Sequence, residues 1–518
     1  MDTMQRLRQA LQVQQQGKLE EAEKLYRQIL KSEPSNLHGL NLLGALCVNS
    51  GRPQEAVDLI GRALAVKPDD PQALFNFALG LKEIGRYEDA IRALQQSLDI
   101  TPENVLAMNA LGSVLFDSGE PLKAVPMYQR ALDVKPDYIE CWCNLSAALR
   151  EAKQFEPALA AANHALQLDA KAPQVRAIFA ELFRSQALFD MAIEEFQAVL
   201  ELAPGNAKAT INLANTYREA DRPEEAQKIF QQLLALDPEN SEALNSLGVL
   251  QEQSGDRQAA AASFQRSISA NPNRAIPHYR LAQIKGRNSS KEELAAVQEL
   301  LARADIKDEE RRYLLFALAV IFDKTQQWDK AFEAWHGANK IEAKKYPYDA
   351  NNTKTYYQSV VAALSGNAKR LKLDSAPQLN APLFIIGMPR SGTTLTGQIL
   401  ASHSDISSLG EVSLAYDMVA GVMRKVGVEY PEGISNLIIE EIAQLGREYT
   451  DRYPEALSGQ AFIIDNTPLN FPHIGLLSLA LPHAKFIHCV RDPVDTCFSI
   501  YKLPFAGAQT FAHDLEAL

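Results

Sequence analysis

The segment FIIGMPRSGTTL, residues 384 to 395, runs from an apolar stretch into a turn with a glycine at each end. Gly387 and Gly392 have the separation found in the nucleotide-binding loop G-x-x-x-x-G-K-[ST], and Thr394 stands where its metal-binding hydroxyl would be. Thr393 occupies the place of the lysine that grips the terminal phosphates of a nucleoside triphosphate, which disfavours a kinase or an ATPase. A strand, a glycine turn and a helix starting near Gly392 still direct several backbone N–H groups and a positive helix end at one point, suited to a phosphate or a sulfate. Arg390, inside the turn, adds planar guanidinium donors able to pair two oxygens of an anion. The plainer reading is a turn that merely joins strand to helix.

A second segment, FIHCVRDPVDTCFSIYK at 486 to 502, puts Arg491 at the end of a strand and Ser499 eight residues later, two turns into a helix opened by Pro493. A guanidinium and a hydroxyl so placed could clasp one phosphate from two sides. Pairing of Arg491 with Asp492 or Asp495 at the surface is the equally open alternative.

The elements that must position these residues are legible as short apolar runs, LFIIGM (383 to 388), AFIID (461 to 465) and AKFIHCV (484 to 490), each followed by a polar cluster and a helical pattern. That alternation predicts a parallel sheet with crossover helices, whose strand ends are where ligands bind in open α/β sheets.

The chain before them is different. Alanine recurs every 34 residues at Ala22, Ala56, Ala90, Ala124, Ala158, Ala192, Ala226 and Ala260. Proline follows twelve residues later at Pro34, Pro68, Pro102, Pro136, Pro204, Pro238 and Pro272, with Ala170 in the one gap. Five residues before the alanine stands Gly17, Gly51, Gly85, Gly119 or Gly255, replaced in the fifth to seventh units by Lys153, Ala187 and Asp221. The small residue lets two helices approach, the glycine turns the chain after the first and the proline stops the second. Aromatics at Tyr26, Tyr128, Phe196, Phe230 and Phe264 fall one turn after the alanine and fill the space between hairpins. This pattern resembles the tetratricopeptide repeat, eight units in register.

Such hairpins stack into a superhelix whose concave surface is lined by the first helix of each repeat. Asparagines recur there in two phases, Asn41, Asn109 and Asn245 in one and Asn76, Asn144 and Asn212 in the other. Their amides could bind an extended peptide backbone, or could be polar surface alone. From 273 to roughly 345 the chain stays helical without the register, and QWDKAFEAWHGANK at 327 to 340 resembles one more degenerate repeat. Clustered breakers in LKLDSAPQLNAP, 371 to 382, place a domain boundary near 375 to 382. The expected domains are therefore 1–275, a helical continuation and cap at 276–375, and an α/β domain at 381–518.

Bulk composition, 46% apolar and 22% charged, is that of an ordinary soluble chain, and a formal charge of −12 argues against general nucleic-acid binding. With neither a signal peptide nor a membrane span legible, the expected location is cytoplasmic. The five cysteines, Cys47, Cys141, Cys143, Cys489 and Cys497, fit neither a zinc pattern nor a disulfide framework, so no metal is expected.

PRSGTTL followed about a hundred residues later by FIHCVRDPVDTCFSIY resembles the sulfotransferase superfamily, with a flavour of tyrosylprotein sulfotransferases and of proteins joining tetratricopeptide repeats to such a domain. The resemblance implies 3′-phosphoadenosine 5′-phosphosulfate (PAPS) as donor. Arg390, Ser391, Gly392, Thr393 and Thr394 would surround its 5′-phosphosulfate, and Arg491 and Ser499 would hold its 3′-phosphate. Thr467 and Pro468 fall in the segment that faces the sulfate in that family.

Glu411 is the candidate base, though the tyrosylprotein enzymes have a second glutamate where Val412 stands, and Glu411 could instead only position a loop. Where the family commonly has a lysine after the strand-end acid, Asn466 follows Asp465, so slower chemistry is expected. His403, His473 and His488 are nearby but are read as packed or solvated. The expected function is sulfuryl transfer to an acceptor hydroxyl, a protein tyrosine or another peptide site presented by the repeat groove. The alternative is a weak or inactive repeat scaffold for protein binding. In the resembling enzymes further segments complete the donor pocket, so the domain from 381 to 518 is expected to be an incomplete sheet and the chain a fragment with poor turnover.

Overall fold

The computed structural model describes residues 3–303, 306–367, 380–428, 430–454, 457, 459–505 and 509–518. The chain divides into two compact units, Met1–Ala331 and Phe332–Leu518, and the division falls inside the helix Trp328–Lys345. The boundary expected near 375 to 382 lies for the most part outside the described residues.

In the first unit, eight helical hairpins run from Thr3 to Ala270, each pairing a helix of 13 residues with one of 14. The phase-setting alanines from Ala22 to Ala260 are all fully buried, and Tyr26, Phe196, Phe230 and Phe264 are buried beside them. Small residues in the first helices make room for these bulky ones: a methyl added to Gly112 would lie 2.5 Å from the Tyr128 ring, and one added to Gly248 would lie 2.6 Å from Phe264. The intra-hairpin turn takes a left-handed residue in every repeat. Glycine supplies it at Gly17, Gly51, Gly85, Gly119 and Gly255, and Lys153, Ala187 and Asp221 adopt the same conformation at φ between 57° and 61°. Gln326 repeats the turn at φ 64°, with the buried Ala331 five residues on, so the segment 327 to 340 keeps the hairpin's local chemistry.

A second series at the 34-residue spacing takes its role from the structure. Asn36, Asp70, Asn104, Asn206 and Asn240 cap the first helices by accepting a backbone N–H, each such cap being worth about 1 kcal/mol. The groove asparagines are partly spent on one another. Asn76 donates to Asn41 at 2.9 Å and Asn144 to Asn109 at 3.0 Å, which ties neighbouring hairpins together.

Among the described residues the second unit holds four strands, β1 (Ala381–Gly387), β2 (Ile406–Ser408), β3 (Phe462–Asp465) and β4 (Lys485–Cys489), all parallel in the order β2-β3-β1-β4. Three were legible in sequence; β2, only three residues long and without an apolar run, was not. β1 is buried along its whole length, as expected of a strand covered on both faces. Its alternate residues point to separate cores: Phe384 and Ile386 pack with Leu476 and Leu477, Leu383 and Ile385 with Ile464 and Leu400. The crossover helices Thr393–Ala401 and Ile474–Ala480 therefore cover opposite faces. That arrangement leaves the carboxyl ends of all four strands free to carry loops.

Candidate functional site

The turn after β1 is built by close approach. Gly387 (φ 152°) lies so near β4 that an added methyl would sit 2.5 Å from the Cys489 carbonyl oxygen and 2.8 Å from Ser391 Oγ. Arg390 (φ 69°) and Gly392 (φ 103°) take left-handed conformations on either side of Ser391, and the helix Thr393–Ala401 begins directly after. Ser391 Oγ is buried and has no hydrogen-bond partner. Thr393, in the lysine's position, is buried, whereas Thr394 is exposed.

The two sequence segments meet. Arg390 Nε donates to Ser499 Oγ at 3.2 Å, and Arg491 Nη1 reaches the Arg390 carbonyl oxygen at 3.4 Å. Arg491 also faces Asp495 at 3.5 Å, so the surface pairing raised as an alternative exists alongside the convergence on the loop. Asp492 caps the helix Pro493–Tyr501 that carries Ser499, accepting from the Asp495 N–H at 3.0 Å. Two guanidiniums, two hydroxyls and the first N–H groups of a helix thus gather at the ends of β1 and β4, an arrangement for a multiply charged anion.

The ends of β2 and β3 form a second cluster. Thr467, in the strand-end segment that faces the sulfate in the resembling family, donates its hydroxyl to the Val412 carbonyl and accepts from the Val412 N–H, both at 2.9 Å. This clasp fixes the loop that bears Glu411. Much of Glu411 is exposed, yet partial burial of its carboxyl, and then the charge of Asp465, push its pKa above the ordinary glutamate value. Asp465 itself is buried and accepts from Tyr449 Oη at 2.8 Å, Asn470 Nδ2 at 3.1 Å and the Thr467 N–H at 3.0 Å. Burial raises its pKa and these donors pull against that rise. Sequence reasoning saw Asp465 only as a strand-end acid; its partner Tyr449 lies on a separate helix, and no spacing rule links the two.

Asn466 is buried, its backbone N–H donates to the Gly410 carbonyl at 3.1 Å, and its side-chain Oδ1 has no partner. Its amide packs against the helix at Gly397. His473 is buried edge-on between Tyr416 and Tyr430, and burial lowers its pKa to about 4. His403 is exposed and accepts the Asp405 N–H, and His488 is exposed on β4. Among the described residues no group of three or more His, Cys, Asp or Glu is placed to hold a metal ion, all five cysteines are free, and no helix is long and apolar enough to cross a membrane.

Comparison with known proteins gives this geometry its class. Residues 382–517 match the sulfotransferase family, and tetratricopeptide repeat models match 14–74, 48–104, 104–171, 185–250 and 241–274. The chain therefore joins tetratricopeptide repeats to a sulfotransferase-family domain.

It is 32% identical over 235 residues to an uncharacterized protein of Aquifex aeolicus (strain VF5), covering 43% of this chain and 31% of that one. It is 29% identical over 138 residues to the nodulation protein NoeE of Sinorhizobium fredii (strain NBRC 101917 / NGR234), covering 24% of this chain and 32% of that one. The chain thus spans about a third of the length of these two relatives. Among solved structures it is similar to a tetratricopeptide repeat protein from Parabacteroides merdae ATCC 43184 (16% identity, 48% of this chain and 98% of that one, TM-score 0.42). It is also similar to MamA (23% identity, 31% and 95%, TM-score 0.29).

Proposed function

We propose that the second unit transfers a sulfuryl group from PAPS to an acceptor hydroxyl. The observation that carries this reading is the Arg390–Ser499 hydrogen bond at 3.2 Å, which draws the 5′ loop and the 3′ segment to one place. Arg390, the hydroxyls of Ser391 and Thr394 and the backbone at Gly392 and Thr393 would surround the 5′-phosphosulfate, while Arg491 and Ser499 would hold the 3′-phosphate. The fit is supported by the unpartnered Ser391 hydroxyl and by the close approach at Gly387, which leaves the loop compact enough to wrap an anion. When bound, PAPS supplies the sulfuryl group and the phosphate that departs with the bond's electron pair.

Glu411 would take the acceptor's proton. A carboxylate whose pKa is raised by burial and a neighbouring acid is a stronger base, provided the pH lies above that pKa. The Thr467 clasp on Val412 would keep it in position without touching the substrate. Asn466 favours a second reading, a repeat scaffold with slow or absent chemistry, because its amide carries no charge to stabilise the leaving oxygen. The acceptor we favour is a hydroxyl on a peptide recruited by the repeats.

Calorimetry of the whole chain with 3′,5′-adenosine bisphosphate and with ATP tests the donor reading: a preference for the bisphosphate is expected, and a preference for ATP would sink it. Sulfate transfer from PAPS to a peptide hydroxyl then separates enzyme from scaffold.

A further inference from the structure

The helix Trp328–Lys345 keeps the phase of the repeats and departs from it at one buried place. Ala331 stands where Ala22 to Ala260 stand in the repeats, and Trp335, four residues on, takes the aromatic position of Tyr26 and Phe264. Twelve residues after the alanine, where proline stops most of the earlier second helices, is Ala343, and this helix runs 18 residues against their 14. Eight residues after the alanine, seven repeats carry leucine, from Leu30 to Leu234, and the eighth carries Ile268. Here that position is Asn339, which is 1% exposed. An amide buried where the repeats keep an aliphatic side chain costs stability unless its polar atoms are paired, so its partners carry the explanation.

Both partners lie far along the sequence. Asn339 Nδ2 donates to the Tyr501 carbonyl at 2.8 Å, and Asn339 Oδ1 lies 3.4 Å from His513 Nδ1, 162 and 174 residues away. The Tyr501 carbonyl belongs to the last turn of the helix Pro493–Tyr501, whose final carbonyls have no donor within the helix. One turn before Asn339, on the same face, His336 Nδ1 bonds the Tyr501 hydroxyl at 2.9 Å, and the Trp335 ring meets Phe498 edge-on at 5.7 Å. Phe498 and Tyr501, three residues apart, are thus gripped by three residues of a single helical face. The gripped helix has nine residues, too few to be stable alone, so such contacts set where it sits. It carries Ser499, which accepts from Arg390 Nε, and it follows directly on Arg491 and Asp492.

We propose that Asn339 is a positioning residue for the donor's 3′-phosphate. By holding the Tyr501 carbonyl it fixes the helix on which Ser499 stands, and with it the spacing between the Ser499 hydroxyl and the Arg491 guanidinium. His336 adds to the same grip through the Tyr501 hydroxyl. The inference rests on the PAPS reading and extends its site to a helix that precedes the first strand of the sheet at Ala381. Asn339 touches no part of the donor. The 5′ loop is built on β1 and on the close approach of Gly387 to Cys489, to which Asn339 contributes nothing, so its loss is felt at the 3′-phosphate alone.

The test is calorimetry of the full chain with 3′,5′-adenosine bisphosphate and with adenosine monophosphate, read as the ratio of the two affinities. Asn339→Leu, which installs the repeats' own residue, should weaken the bisphosphate about ten-fold, as when a charge-assisted contact is displaced, and leave the monophosphate within about two-fold. Its melting midpoint should fall as well, because the Tyr501 carbonyl is left unpaired. The ratio of affinities separates the two roles, since a residue that only stabilises the fold leaves it alone. Ile442→Val supplies the comparison: this side chain is buried with Leu445 and Leu476, apart from the gripped helix, and its variant should lower the midpoint and keep the ratio. Tyr501→Phe, which removes only the hydroxyl bonded to His336, should lower the ratio about three-fold, and it decides alone if Asn339→Leu fails to fold. An unchanged ratio in the deciding variant, or equal weakening of both ligands, overturns the positioning role and leaves the donor reading standing. No preference for the bisphosphate in the unaltered chain overturns the donor reading, and this proposal with it.

Discussion

The repeat unit and the α/β unit both rely on arginine, but they use it differently. In the repeats, Arg52 meets Glu23 at 2.6 Å and Arg184 meets Glu219 at 3.1 Å, each pair joining neighbouring hairpins; these guanidiniums are committed to carboxylates that hold hairpins together. At the strand ends, Arg390 has a hydroxyl at 3.2 Å, and Arg491 has a carbonyl at 3.4 Å and a carboxylate at 3.5 Å. With its side chain 47% exposed, the Arg491 contact with Asp495 belongs to a class worth about 0 to 1 kcal/mol. The first kind of arginine stabilises a fold, and the second is held loosely enough to exchange its partners for a ligand's oxygens. The strength of its existing bonds, more than the residue type, tells which is which.

The left-handed turns differ in the same way, and Gly387→Ala should break that comparison hardest. Its methyl would collide with the Cys489 carbonyl at 2.5 Å, so β1 and β4 must separate. Loss of about 1 to 3 kcal/mol of stability from overpacking is expected, together with about a hundred-fold weaker binding of adenosine bisphosphate. Thermal melting and calorimetry check both, and a variant that binds normally would show that the close approach is dispensable.

Arg491→Ala should come next. Weakening of about ten- to a hundred-fold is expected for 3′,5′-adenosine bisphosphate, from a charge-assisted bond worth about 1.5 to 3 kcal/mol, with little change for adenosine monophosphate and none in the melting midpoint. Equal weakening of both ligands would assign Arg491 to the 5′ side.

His473 sharpens the contrast through pH. Its folded pKa is about 4, against an ordinary 6.5, so the unfolded chain binds a proton that the folded one refuses as the pH falls between these values. Stability is therefore full above about 6.5 and lost progressively on acidification, by about 2 kcal/mol at pH 5. Denaturant titrations at several pH values should show this slope in the α/β unit, and His473→Phe should flatten it. An unchanged slope in the variant would rule out His473 as its source.

The smallest effect belongs to the repeats. Ala187 sits at φ 57° in a turn that five other hairpins fill with glycine. Ala187→Gly relieves the left-handed strain and gives the unfolded chain more freedom, a near-cancellation that should leave a gain of about 0.5 kcal/mol. A loss of stability would mean that the turn is not strained.

The repeats were legible because each hairpin restates the same physical problem every 34 residues, so alanine, proline and aromatic positions reinforce one another across eight copies. The capping series from Asn36 to Asn240 is weaker in sequence because Tyr138 and Ala172 interrupt it, and its role rests on the backbone N–H bonds those side chains accept. In the α/β unit the buried runs gave β1, β3 and β4, and the glycine separation gave the loop. The strand β2 was invisible because three residues, half exposed, carry no pattern. The Arg390–Ser499 bond joins residues 109 apart, and the Asp465–Tyr449 bond joins a strand to a helix; such contacts depend on how elements pack, which local spacing does not encode. The Thr467–Val412 bonds, between residues 55 apart, are likewise a product of packing that no local spacing encodes.

That threonine also bears on how the Glu411 loop can move. Both bonds to Val412 end on a single oxygen atom, so one rotation of the side chain or one displacement of the loop releases them together. On the other side of Glu411 the loop has a separate anchor, the Asn466 N–H on the Gly410 carbonyl at 3.1 Å. Loss of the threonine oxygen would therefore free the loop on its Val412 side and leave it pinned at Gly410, so that Glu411 would swing about a fixed point and not drift with the whole loop.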